Sequence, residues 1–245
     1  MRHSTLLAAG LLLCAHASWA AGPAQWGYEG AQGPAHWGGL DPGFAACAEG
    51  RNQSPVDIRS AVEAGLPPLR TRYAAGPATI VDNGHTIQVD FAPGGVLELD
   101  GDAFELKQVH FHAPGENTID GRSFPFEAHF VHADAKGALA VIGVMYETGA
   151  ASEALAPIWA ELPQGPGPAR PLAQPVDAAR LLPASMDYYR YSGSLTTPPC
   201  SEGVRWLVLK APLTVSAEQV AAFQRIVGGP NNRPVQPLNG RLIVR

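Results

Sequence analysis

Apolar and polar positions alternate through most of the chain in short runs, the period of strands with one buried face. Such runs predict strands over 78–81, 86–91, 96–99, 104–112, 124–132, 139–146, 188–191 and 204–209. Asn83-Gly84 between the first two is a tight-turn signal. The helical period is scarce. Ser216 with Gln219 three residues on is a capping-box signature for a helix over 217–227, and Gly228-Gly229 ends it. Ser152 predicts a cap for a helix over 153–162, in which Pro157 demands a break or a second short helix. Residues 21–51 show no period and read as an irregular arm pinned by Trp26, Tyr28 and Trp37. Gln53-Ser-Pro-Val-Asp-Ile58 reads as a turn into a short apolar segment, and 163–175 as a Pro/Gly-rich surface excursion. With no internal repeat and no composition break after Ala21, the pattern predicts one β-dominated domain over 21–245.

The amino terminus departs from this pattern. Arg2, an apolar run from Leu6 to Cys14 and Ser18-Trp19-Ala20 form a secretory signal peptide over 1–20, too short to span a membrane as a mature helix. Cys14 follows Leu13 rather than a small residue, which argues against a lipid-modified cysteine. Cleavage after Ala20 removes Arg2 and moves the formal net charge from −5 to −6. A mildly acidic chain without a basic run excludes nucleic acid as the expected partner. No second hydrophobic span follows, so a soluble periplasmic or secreted protein is expected. Cleavage also leaves Cys47 and Cys200, and an even pair in an oxidising compartment reads as a disulfide, two free buried thiols being the alternative. At 245 residues, 46% of them hydrophobic, the chain can build one substantial core.

The chemistry concentrates in two of the predicted strands. His110 and His112 stand two apart and therefore share a strand face, while Glu127, His129 and Val131 share a face of the second strand. Turn-forming residues Pro114, Gly115, Asn117, Asp120 and Gly121 separate the two strands and let the chain fold back. If the strands are neighbours, three imidazoles converge, and three nitrogen ligands with an open fourth position describe a catalytic zinc site. His129 with His132 at i, i+3 would suit a helix instead, but the Phe and Val flanks favour a strand and turn His132 to the opposite face, where it reads as structural. No H-E-x-x-H is present, so the helical metalloprotease pattern is absent.

Several blocks together carry a resemblance: Trp26-Gly-Tyr28, Gln53-Ser-Pro-Val-Asp-Ile58, Asn83-Gly-His85, Gln108-Val-His110-Phe-His112 and Glu127-Ala-His129-Phe-Val131. Gly193-Ser-Leu-Thr196-Thr197-Pro-Pro and Asn231-Asn-Arg233-Pro-Val-Gln236-Pro-Leu complete the set. In this order the chain resembles the α-class carbonic anhydrases in their exported bacterial form. The resemblance implies a large, mostly antiparallel central sheet with a few short peripheral helices. It implies zinc held by His110, His112 and His129, with Gln108, Glu127 and the Asn231 carbonyl as their hydrogen-bond partners. Reversible hydration of CO2 to bicarbonate and a proton follows, by a zinc-bound hydroxide that Thr196 and Glu116 orient. Thr197 matches a substrate-side residue, and Val131, Val141, Leu195, Val204 and Trp206 match an apolar wall for CO2. His85 matches a proton shuttle, with Tyr28, Asn83 and Gln88 near the solvent path. By strand parity alone, His85 falls with Ile87 and Val89 and reads as a partly buried core residue.

Three departures stand out: Asn117 where many animal members have His, Asn232 where many have Trp, and Ala113-Pro114 in place of an aromatic-Gly pair. Two other functions compete. A binding or adhesion module on the same scaffold would typically lack zinc ligands, and this chain keeps all three together with Thr196 and Glu116. A zinc hydrolase acting on esters would use the same nucleophile as a side reaction. The oligomeric state, a homodimer included, stays open at this level.

Overall fold

The computed structural model describes residues 25–245, so the expected signal peptide and its cleavage point lie outside the described residues. The strands are β1 (Asp57–Ile58), β2 (Arg70–Arg72), β3 (Ala78–Asp82), β4 (Ile87–Phe91), β5 (Val96–Leu99), β6 (Asp102–His112), β7 (Thr118–Ile119), β8 (Phe126–Ala133), β9 (Leu139–Thr148), β10 (Arg170–Pro171), β11 (Tyr188–Ser194), β12 (Glu202–Leu209) and β13 (Leu213–Val215). The α-helices are α1 (Trp37–Leu40), α2 (Ala46–Glu49), α3 (Ala156–Trp159) and α4 (Ala217–Val227).

The main sheet runs in the order β10-β3-β4-β6-β8-β9-β12-β11, with β5, β2 and β13 attached at its flanks. Most neighbours are antiparallel, but β12 and β13 pair β9 in parallel. Alternation along the central strands sorts side chains onto two faces. One face holds the larger core, with Ile87, Val89, Val109, Phe111, Phe126, Ala128, Phe130, Ile142, Val144 and Leu207, covered by Phe223 of α4 and Ile158 of α3. The other face carries a smaller cluster including Val141, Met145, Val204, Trp206 and Val208.

β6 is not a regular strand. Its register against β8 slips between Leu106 and Gln108, leaving Lys107 without an opposite residue. Before the slip Phe104 and Leu106 face the larger core; after it Val109 and Phe111 do. Even numbers thus face the core on one side of Lys107 and odd numbers on the other. This bulge turns Gln108, His110 and His112 away from the face that Leu106 occupies. Without it the two histidines would enter the larger core.

The helices correct one expectation. α4 has the full capping box, with Ser216 Oγ accepting from Gln219 N and the Gln219 side chain accepting from Ser216 N, and Gly228 closes it at φ +83°. The helix expected over 153–162 shrinks to Ala156–Trp159, with Pro157 in the first turn and Leu155, not Ser152, as the cap. Proline is tolerated only there, since its missing N–H would break a longer helix. Ser152 instead exchanges backbone hydrogen bonds with the Gln219 side chain at 2.8 and 3.0 Å. The amino-terminal arm contains the short helices α1 and α2, which its lack of period did not signal.

Candidate metal centre

β6 and β8 are antiparallel neighbours, and His110 stands directly opposite His129. With His112 one strand period away, one nitrogen of each ring lies within 4.8 Å of the other two. The outward nitrogens are all engaged. His110 Nδ1 meets Gln108 Oε1 at 2.8 Å, His112 Nδ1 the Asn231 carbonyl at 2.8 Å, and His129 Nε2 the Glu127 Oε1 at 2.8 Å. Each acceptor fixes its ring as an N–H donor on the outward side. Nε2 of His110 and His112 and Nδ1 of His129 are left as lone pairs facing one another. His112 Nε2 is buried with no protein hydrogen-bond partner. Burial lowers the pKa of all three imidazoles, which keeps them neutral and able to ligate; mutual repulsion deepens the shift for His110 and His129.

Glu116 is buried beside this cluster. Its Oε1 accepts the Arg233 N–H at 2.8 Å, while Oε2 has no protein hydrogen-bond partner and lies 3.5 Å from His112 Nε2 and 3.9 Å from His129 Nδ1. Burial pushes this carboxyl well above the usual range, opposed by the Arg233 N–H and by the neighbouring Thr196. Thr196 is buried in the turn between β11 and β12, which is closed by Leu195 N–H to Ser201 O and Cys200 N–H to Thr197 O. Glu127 is also raised by burial, with the Asn117 side chain the largest opposing influence.

Val131, Val141, Leu195, Val204 and Trp206 share the smaller apolar cluster. The Trp206 indole N–H is spent on Ser194 O at 2.9 Å, and its ring meets His129 edge-on at 4.8 Å between centroids. Thr197 is partly exposed in the same turn.

His85 is not on a strand, which corrects the parity reading: β4 begins at Ile87, and His85 sits in the preceding bend. There its N–H bonds Asn83 Oδ1 at 3.0 Å and its half-buried ring stacks on Trp26, 3.6 Å between centroids and 8° from parallel. Burial lowers the His85 pKa, with the Asp82 charge opposing. Asn83 Nδ2 reaches Gln88 Oε1 at 3.4 Å. The Tyr28 hydroxyl is buried without a partner, and burial together with the Glu116 charge raises its pKa well above the ordinary value.

Sequence reasoning missed Arg233, Trp26 and the side chain of Asn231, whose carbonyl alone was expected. The Asn231 side chain donates to Phe111 O and His85 O and accepts from Ala113 N, at 2.9, 3.1 and 2.8 Å, tying the end of β6 to the His85 bend. Arg233 buries its guanidinium on Gln53 Oε1, Ser54 O and Cys47 O, over the Trp37 ring, with its pKa lowered to about 10 by burial. Trp26 supplies the stack on His85. Only the tertiary pairing reveals these roles, although all three residues stood inside recognisable blocks.

A model of the eukaryotic-type carbonic anhydrase family matches residues 32–245. A carbonic anhydrase of Pectobacterium carotovorum is 51% identical over 244 residues, spanning all of both chains. One from Pectobacterium atrosepticum is 52% identical over 219 residues, 89% of this chain and 90% of that one. Among solved structures, the α-carbonic anhydrase of Thermovibrio ammonificans in complex with sulfanilamide superposes with a TM-score of 0.89 at 50% identity, covering 91% of this chain and 100% of that chain.

Proposed function

The chain belongs to the eukaryotic-type, or α-class, carbonic anhydrase family, and from that premise we propose that it converts CO2 and water reversibly to bicarbonate and a proton at the three-histidine cluster, with zinc as its metal. One observation carries the reading: three neutral imidazole nitrogens converge, each turned inward by an acceptor on its far side. The buried, unpartnered His112 Nε2 fits a metal ligand, and three imidazoles suit zinc, the metal of His3 catalytic sites. Zinc, when bound, supplies Lewis acidity that makes a nucleophile available near neutral pH, a behaviour for which this family is the standard example.

The remaining work falls to the protein. Glu116 accepts the Arg233 N–H at Oε1, and its carboxylate neighbours the Thr196 hydroxyl as an acceptor. A Thr196 hydroxyl that donates to Glu116 can only accept from the attacking nucleophile, which turns the latter's lone pair toward the substrate carbon. The wall of Val131, Val141, Leu195, Val204 and Trp206 suits CO2, a nonpolar molecule that needs no ion pair, and excludes competing water. Thr197, partly exposed in the Thr196 turn, takes the substrate-side place that the family resemblance implies. His85 accepts the released proton on an imidazole nitrogen and passes it to buffer, in a path bordered by Tyr28, Asn83 and Gln88. The leader-like start of the sequence supports a periplasmic or secreted location. No helix among the described residues is long and apolar enough to cross a membrane.

Stopped-flow CO2 hydration on zinc-loaded protein tests the reading. One zinc per chain and turnover are expected, and His112→Ala should lose both. Stoichiometric zinc in a His110/His112/His129 triple Ala variant would sink the site assignment.

A further inference from the structure

Asn117 is fully buried just before β7, in the chain segment that carries Glu116. Its side chain makes opposite use of its two ends. Nδ2 donates to Glu127 Oε1 at 2.8 Å; Oδ1 accepts from Val56 N at 3.1 Å and from the Tyr191 hydroxyl at 2.9 Å. Two donors on Oδ1 forbid the flipped amide, so the N–H is aimed permanently at the carboxylate.

The carboxylate it meets is confined on all sides. Glu127 Oε2 accepts the backbone N–H groups of Glu116 at 2.6 Å and Asn117 at 2.9 Å. Oε1 is shared by only two donors, Asn117 Nδ2 and His129 Nε2. The walls are glycine: a Cβ on Gly143 would lie 3.2 Å from Oε1, and one on Gly115 3.3 Å from Oε2. The backbone pair fixes where Oε2 sits, and a carboxylate anchored at that oxygen alone would still pivot about it. Asn117 Nδ2 adds the donor that, with His129, holds Oε1 in place.

We propose that Asn117 is a positioning residue of the metal centre: by locking the Glu127 carboxylate it sets the ring of His129, and so where Nδ1 points among the three histidines. The inference rests on the metal reading given above. A neutral amide suits the task, because it donates to Glu127 without adding a second charge and accepts from Val56 and Tyr191 with its other end. An aliphatic residue of the same size leaves Glu127 one donor short and orphans the Val56 N–H. An aspartate keeps the shape and the Oδ1 bonds but turns an acceptor toward Glu127 Oε1.

The experiment compares wild type, Asn117→Leu and Asn117→Asp at pH 8, by chelator competition for zinc and by the absorption spectrum of the cobalt-substituted protein. Direct partners of ligating histidines are worth about 10–100-fold in metal affinity; Asn117 acts through one such partner, so a loss at the lower end of that range, about tenfold, is expected in each folded variant, with a changed cobalt spectrum. Asn117→Asp, which retains the surrounding hydrogen bonds to Oδ1, serves if Asn117→Leu does not fold. Wild-type affinity and spectrum in a folded variant, with only a lowered Tm, would make Asn117 merely structural and overturn the proposal. So would an equal loss of affinity in Ser54→Ala, which lies beyond Tyr191 in the same network at 3.4 Å. A wild-type protein that binds no zinc would overturn the metal reading itself, a different result from either.

Discussion

His85 shows how one side chain takes its role from its surroundings. In the bend before β4 its half-buried ring stacks on the face of Trp26. Half-burial lowers its pKa and the Asp82 charge opposes that, so the imidazole can give up a proton to neutral buffer. If it carries the proton out, His85→Ala should lower kcat while leaving kcat/KM for CO2 nearly intact, because the chemical step is untouched. Added imidazole should restore much of the lost kcat in stopped-flow assays. A drop in Tm with no rescue by buffer would mark His85 as a packing residue of the Trp26 stack. The residues around it were legible in the sequence; the stack was not, because 59 positions separate its two rings and no local pattern joins them.

At the scale of elements, the bulge at Lys107 gives β6 two faces of different purpose. Leu106 stands opposite His132, while His110 stands opposite His129. His132 therefore shares the larger core's side of β8 with Phe130, not the metal side. There its Nδ1 donates to Ala140 O at 3.2 Å and its Nε2 accepts the Tyr73 hydroxyl at 2.5 Å. Burial lowers its pKa from 6.5 to about 4, opposed by the Ala140 and Phe130 carbonyls. The unfolded chain takes up this proton as pH falls below the ordinary value, while the folded chain refuses it until near pH 4. The neutral His132 thus contributes stability above about pH 6.5 that is lost as pH falls toward 4, up to roughly 3 kcal/mol. Urea unfolding of zinc-free protein between pH 8 and 4.5 should show a shallower acid decline in His132→Gln than in wild type. Parallel curves would remove His132 from the acid response.

Across the whole molecule, the amino-terminal arm is fastened to the turn that carries Thr196. Cys47 and Cys200 form a disulfide spanning 153 positions, with Trp37, Trp26 and Tyr28 packed around it. Gln53 Nε2 donates to Cys200 O at 3.0 Å, and Arg233 holds Cys47 O while its own N–H holds Glu116. One connected set of bonds thus joins the arm, the Thr196 turn and the orienting carboxylate. Closing so long a loop removes unfolded-state entropy worth about 4–5 kcal/mol in the chain-entropy model. A Cys47→Ser/Cys200→Ser protein should lose stability of that order in urea titration. A loss below about 1 kcal/mol would show that Arg233 and the aromatic cluster hold the arm without the cross-link.

The sequence by itself determined what is local. Period-two alternation marked the central strands to within a few residues, the capping box and Gly228 bounded α4, and i, i+2 spacing put His110 and His112 on one face. These features depend on neighbours along the chain, so the chain displays them. Tertiary structure alone decided which strands adjoin, including the parallel pairing of β9 with β12 and the register that sets His110 against His129. It decided that one residue, Lys107, reverses the faces of β6, since a bulge is a property of two strands and is invisible in one. It brought Asn231, Arg233 and Asn117 to the histidines, because a buried hydrogen bond needs a donor and an acceptor that the sequence leaves far apart: 119 positions for His112 and Asn231. Local propensity proposes elements. Burial then selects the arrangement in which the outward nitrogen of each imidazole finds an acceptor, while the inward His112 Nε2 and the Glu116 Oε2 beside it stay unpartnered.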